Sequence, residues 1–236
     1  MHWNHEATTE LHEERLEAVV DAVRSSGARS LLDLGCGDGD VLVRLAREPG
    51  FERLLGLDLN ARRLQRMRSR LDADVHFVAA DAQPRTGLAA SLAPEQRRTR
   101  GRGQRRQPRI ELRQGSLTEP DDSLAGFDCA ILVETIEHID PRELAQVEQA
   151  LFARMRPRTV IVTTPNAEYN PLLKVPPNRF RHPDHRFEWD RARFQRWARG
   201  VAQRHGYSLR HRDIGGVHSL YGGASQMALF RREDPE

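Results

Sequence analysis

The sequence predicts an α/β fold, a seven-stranded and mostly parallel sheet with helices on both faces. Three observations carry this expectation. The run Ser30-Leu31-Leu32-Asp33-Leu34 reads as a buried strand that enters the turn Gly35-Cys36-Gly37-Asp38-Gly39. Leu54-Leu55-Gly56-Leu57-Asp58, one helix-length later, reads as a second buried strand ending in an acid. Strand, glycine turn, helix and strand in that order form a βαβ unit, whose two strands run parallel.

The elements follow in order. Leu16, Val19, Val20 and Val23 recur at helical spacing, and Gly27 stands where that helix should stop. A second helix is expected from about Asp40 to Arg47 and a third from Arg62 to Leu71. Residues 72–109 read as an irregular, Arg-rich insertion within a single domain covering 1–236, with a short strand at Val75 to Ala80. Its run from Arg97 to Arg109 has the composition of a solvated loop. Strands are expected again at Ile110 to Arg113, Phe127 to Val133 and Val160 to Thr164. Between the last two, Asp140-Pro141-Arg142-Glu143 offers a helix N-cap, a proline at the first helical position and an acid at the third. Another helix opens at Asp190 with Phe194, Trp197, Ala198 and Val201 on one face. Tyr207 to Ile214 and Gln226 to Phe230 complete the strands.

Composition bounds the partners. The 236 residues suffice for a real core without disulfides or a structural metal. No apolar run reaches the ~18 residues of a membrane span. The start, MHWNHEATTE, has no basic-then-apolar pattern, so no secretory leader is expected. Two cysteines without a CxxC pair fit a cytoplasmic protein. Lysine and arginine together number 37 against 34 acids, and Lys174 is the single lysine. Planar, always-charged guanidinium suits a nucleic-acid phosphate, while arginine-rich codon usage is the competing account.

The turn after the first strand lies where ligands bind in such sheets, at the carboxyl ends of the strands. Gly35 and Gly37 let the backbone approach a ligand closely. The spacing is neither GxGxxG nor a P-loop, so a dinucleotide or a nucleotide triphosphate is disfavoured. Asp58 is placed to accept both hydroxyls of a ribose, and Asp33, beneath the turn, to hold an amine. Asp-Leu-Gly-Cys-Gly with an acid ending the next strand resembles the Rossmann-like methyltransferases that use S-adenosylmethionine. In that class Ser116 and Leu117, after the third regular strand, would face the adenine.

After the fourth strand, Glu134, Glu137 and His138 stand at i, i+3 and i+4. If a helix begins there, all three face one way at the sheet's carboxyl edge. Two carboxylates and an imidazole make a mixed oxygen and nitrogen site for Mg²⁺, Mn²⁺ or a similar ion. An ordinary helix start with acids favoured by the dipole is the competing reading. Arg181-His182-Pro183-Asp184-His185-Arg186-Phe187-Glu188-Trp189 offers a further histidine ligand.

Glu134-x-x-Glu137-His138, Thr164-Pro165-Asn166, Asp184-His185-x-Phe187-Glu188-Trp189 and Ser225-Gln226-Met227 together resemble one family. It modifies the 2′-hydroxyl at the 3′ end of small RNAs, and the resemblance runs from Glu13 to Phe230. The short loops look most like its bacterial RNA-repair branch. The resemblance implies S-adenosylmethionine as cofactor and a divalent metal ion, Mn or Mg, held by Glu134, Glu137, His138 and His185. It implies an RNA substrate with a free 3′-terminal 2′,3′-diol, and a kinase–phosphatase–ligase repair partner. Asp190 departs from the threonine usual after Phe-Glu-Trp and can still cap a helix. In the bacterial branch the matching region is one half of a longer protein, and this chain has no room for the other half.

An ion touching the 2′- and 3′-oxygens would act as a Lewis acid on a poorly nucleophilic hydroxyl. Lys174, Arg179, Arg181 and Arg186 are candidates for the RNA phosphates. A monomer is expected. Competing functions are a methyltransferase acting on a small molecule or a nucleobase, and a non-catalytic RNA-binding module.

Overall fold

In the computed structural model, residues 5–74, 108–119 and 121–233 are described. Seven strands form one sheet: β1 (Ser30–Leu34), β2 (Arg53–Asp58), β3 (Arg109–Gln114), β4 (Cys129–Val133), β5 (Thr159–Pro165), β6 (Tyr207–Ile214) and β7 (Ser225–Arg232). Their order is β3-β2-β1-β4-β5-β7-β6. The first five strands of that order are parallel, and β7 runs antiparallel to both neighbours. The central strands are apolar on both faces because helices cover both.

One face packs against α1 (His5–Ser25), α2 (Asp40–Ala46) and α3 (Ala61–Asp74). The expected stripe of Leu16, Val19, Val20 and Val23 is buried there. The other face packs against α4 (Leu144–Glu148), which continues as a π-helical segment over Gln149–Met155, and against α5 (Arg191–His205). On α5, Phe194, Ala198 and Val201 are buried as the spacing predicts, and Trp197 packs against them. Asp190 caps this helix by accepting from the Arg193 amide at 2.6 Å, so the departure from threonine costs the cap nothing.

Two expectations change. Asp140 does not open α4, whose first residue is Leu144. Its side chain accepts from the Arg142 amide at 2.9 Å, and the Glu143 amide donates to its carbonyl at 2.8 Å. The short side chain thus closes a separate turn before the helix. Asp72 belongs to α3 and Arg109 to β3, so both ends of the expected 72–109 insertion are regular structure. The strand at Val75 to Ala80 and the arginines from Arg97 to Arg106 lie outside the described residues. Cys36 and Cys129 are buried and unpaired. No described helix is long and apolar enough to cross a membrane.

Candidate active site

The glycine turn joins β1 to α2 at the sheet's carboxyl edge. Gly35, Gly37 and Gly39 all have left-handed φ, of 79°, 56° and 80°. The amides of Gly35 and Cys36 donate to the Leu57 carbonyl, which fastens the turn to β2. Asp58 is buried at the end of β2, where one oxygen accepts from the Gly37 amide at 2.9 Å and the other from the Asn60 amide at 2.7 Å. Each oxygen keeps a lone pair for a ligand hydroxyl. Asp33 is buried below the turn. Burial pushes its carboxyl up to about 8, and Asp58 and Asp40 add to the rise. An ammonium group brought here would meet an acid that its surroundings leave without a cation. Ser116 and Leu117 follow β3 as expected; the Ser116 hydroxyl lies 2.7 Å from that of Thr118, and Leu117 packs against the core.

The acidic turn follows β4. It is not an α-helix start: Glu134 has a left-handed φ of 50°, and only Ile136–His138 form a single 3₁₀ turn. Thr163 causes this, since its carbonyl and hydroxyl both accept from the Glu134 amide. The three side chains therefore do not share a helix face. Strain of this kind collects at functional sites.

The two carboxylates have different surroundings. Glu134 accepts from Thr163 Oγ1 at 3.0 Å and Ser225 Oγ at 3.3 Å, and meets Arg15 Nη1 at 3.4 Å. Glu137 is 0% exposed, and its Oε2 accepts from Thr164 Oγ1 at 3.0 Å. Its Oε1 is buried with no partner among the described residues. Burial pushes Glu137 well above the ordinary carboxylate range, and the neighbouring Glu134 pushes it the same way.

The imidazoles form a second group. His138, His182 and His185 bring their ligand atoms within 4.8 Å of one another. The His138 and His185 rings are 4.8 Å apart, nearly perpendicular. Burial lowers the His138 pKa, and His185 lowers it further. His185 Nδ1 lies 2.6 Å from Glu188 Oε1, which leaves Nε2 for a ligand. Burial raises Glu188, but bonds from His185, Asn170 and the Arg181 amide hold it below its usual range. The Arg186 amide donates to the Glu137 carbonyl at 2.7 Å, which fastens the histidine segment to the acidic turn.

An orphaned buried carboxylate oxygen, a second carboxylate beside it and imidazoles on the adjoining segment fit a divalent cation. Among the described residues the ligand atoms that converge are those of His138, His182 and His185; Glu134 and Glu137 lie on the same edge but outside that group, so the expected set of Glu134, Glu137, His138 and His185 is not gathered as one cluster. Arg15 and Glu188 touch Glu134 and His185, contacts that spacing does not mark.

Among the candidate phosphate ligands, Arg179, Arg186 and Lys174 are exposed. Arg181 is not free. Its guanidinium donates to Asn170 Oδ1, the Ala224 carbonyl and the Asn166 carbonyl. It braces the loop behind the site rather than facing solvent.

Comparison with known proteins gives the family. A family profile described as "Methyltransferase domain" matches residues 3–221, and the chain belongs to that family. The solved methyltransferase domain of bacterial CtHen1 is 37% identical, covers 95% of this chain and 100% of its own, and superposes with a TM-score of 0.74. The chain is therefore a methyltransferase domain of the Hen1 group. A curated relative from Gallus gallus named "Small RNA 2'-O-methyltransferase" is 34% identical over 97% of this chain and 56% of its own length. One of that name from Arabidopsis thaliana is 29% identical over 94% of this chain and 23% of its own. The chain spans about half the length of the Gallus gallus relative.

Proposed function

We propose that the chain transfers a methyl group from S-adenosylmethionine to the 2′-hydroxyl of the 3′-terminal ribose of RNA. One observation carries the reading: the Thr135 side chain, between Glu134 and Glu137 in the chain, packs against Gly35, so the glycine turn and the acidic turn adjoin. Gly37 and Asp58 bind and orient the cofactor's ribose, and Asp33 takes its amine. Glu134, Glu137, His138 and His185 hold a divalent ion. When bound, that ion acts as a Lewis acid on the terminal diol. The protein's own residues place the hydroxyl in line with the sulfonium methyl, which lowers the entropy cost of the transfer. Glu188 fixes the His185 ring. The relatives' printed names support the substrate class. The bacterial motif pattern supports a kinase–phosphatase–ligase partner, which co-purification would test.

Incubation with methyl-labelled cofactor tests the reading. Label should enter RNA carrying a terminal diol and should not enter periodate-oxidised RNA, whose diol is destroyed. Equal labelling of both would overturn it. Labelling of small molecules alone would favour the other methyltransferase reading.

A further inference from the structure

Helix α5 carries five arginines and no acid in its 15 residues. Some exposed arginines elsewhere in the described residues lie against carboxylates, as Arg24 does on Glu48, Arg29 on Glu52 and Arg66 on Asp38. The two ends of α5 keep this habit, with Arg191 on Glu168 and Arg204 on Glu148. Arg193, Arg196 and Arg199 do not. All three are exposed, and none has an ion-pair partner among the described residues. The Arg193 guanidinium instead lies 5.4 Å over the Trp189 ring. The fold does not need these charges, because Phe194, Ala198, Val201 and Ala202 make the buried contacts.

Their placement has a direction. Trp189 lies four residues after His185 and bridges to Asn166 just beyond β5. Helix α5 therefore starts at the carboxyl edge, beside the histidine segment, and descends to the start of β6 at the opposite edge. Steps of three residues advance about 4.5 Å along the axis, so the arginines form a row leading away from the site. Guanidinium groups at such spacing match a run of phosphates and carry no base preference.

We propose that Arg193, Arg196 and Arg199 on α5 form a track for the phosphate backbone of RNA whose 3′ end occupies the site. This rests on the RNA reading above and adds where the body of the strand lies. The test compares the parent protein with Arg193→Ala/Arg196→Ala/Arg199→Ala. A second variant, Arg196→Ala/Arg199→Ala, leaves the Trp189 contact intact. Binding of a long oligoribonucleotide is followed across a salt series. Methylation is followed on that RNA and on a trinucleotide too short to reach the track.

The triple variant should bind the long RNA roughly tenfold more weakly at low salt, with the slope of log K against log salt reduced by about 2. The double variant should lose part of this. Turnover of the trinucleotide should not change. An unchanged slope would overturn the track, and so would an equal loss on the trinucleotide. Arg210→Ala/Arg212→Ala removes exposed charge from the other face of the sheet; an equal loss there would mean diffuse charge and overturn the track as well. If the parent methylates neither RNA, the methylation reading fails, while the binding slopes still decide the track.

Discussion

Thr135 leaves no room for a side chain at Gly35: a Cβ built there would lie 2.5 Å from Thr135 Cγ2 and 2.8 Å from its Oγ1. Thr135 is itself held, since its hydroxyl donates to the Val133 carbonyl at 3.1 Å. The residue that separates the cofactor turn from Glu134 is thus pinned on both sides.

Gly35→Ala should therefore damage two things together. The left-handed φ costs about 1–2 kcal/mol for a residue with a Cβ, and the overlap with Thr135 adds to it. Chemical denaturation should show the lost stability, and a cofactor titration should show affinity reduced by tenfold or more. Wild-type affinity in this variant would separate the turn from cofactor binding.

Asp33 makes the cofactor-free protein sensitive to pH. Its carboxyl titrates near 8 when folded and near its ordinary acidic value when unfolded. The folded state thus keeps a proton that the unfolded state loses, so stability from this group is present below about pH 4 and is lost as pH rises through about 8. Asp33→Asn should flatten that decline, with a gain on the order of a few kcal/mol at alkaline pH. Denaturation midpoints measured across the pH range check it. The same variant should bind S-adenosylmethionine poorly.

Glu188 should act through His185. Glu188→Gln keeps the shape but removes the charge that orients the ring, and metal affinity should fall about 10- to 100-fold. Mn²⁺ titration followed by electron paramagnetic resonance reads this without any turnover. His185→Ala should abolish metal-dependent methylation and leave cofactor binding nearly intact. Normal activity of that variant with the metal chelated would remove His185 from the ligand set.

Asn166 is a structural prediction of the same motif. It is 0% exposed, and its amide nitrogen donates to the Tyr221 and Gly223 carbonyls while its oxygen accepts from the Glu168 amide. Asn166→Ala strands the buried Gly223 carbonyl, at about 1–3 kcal/mol, and frees the part-buried Tyr221 carbonyl. Thermal melting should drop by several degrees.

The strands, the glycine turn and Asp58 are legible in the sequence because their signals are local. So is the capped start of α5. The acidic turn is not, because its shape depends on Thr163, a residue of the next strand, 29 positions away. Helical spacing at Glu134, Glu137 and His138 misleads for that reason. The separate turn at Asp140 defeats the helix start in the same way: a capping-type side chain serves either structure. Arg181 reads as a free cation until the carbonyls of Asn166 and Ala224 are seen around it. Spacing does not tell His182 from His185; the motif resemblance selects the second, and its contact with Glu188 is the structural counterpart of that choice.

Arg15 and Ser225 both reach Glu134, across sequence separations of 119 and 91 residues. The first sits on the opening helix and the second begins the final strand. The β1–β2 cradle, by contrast, is built from contacts within about 25 residues. The Glu134 carboxylate is thus set by contacts between distant segments, whereas the cofactor turn is set by neighbouring ones, so the acidic turn depends on the whole sheet being assembled.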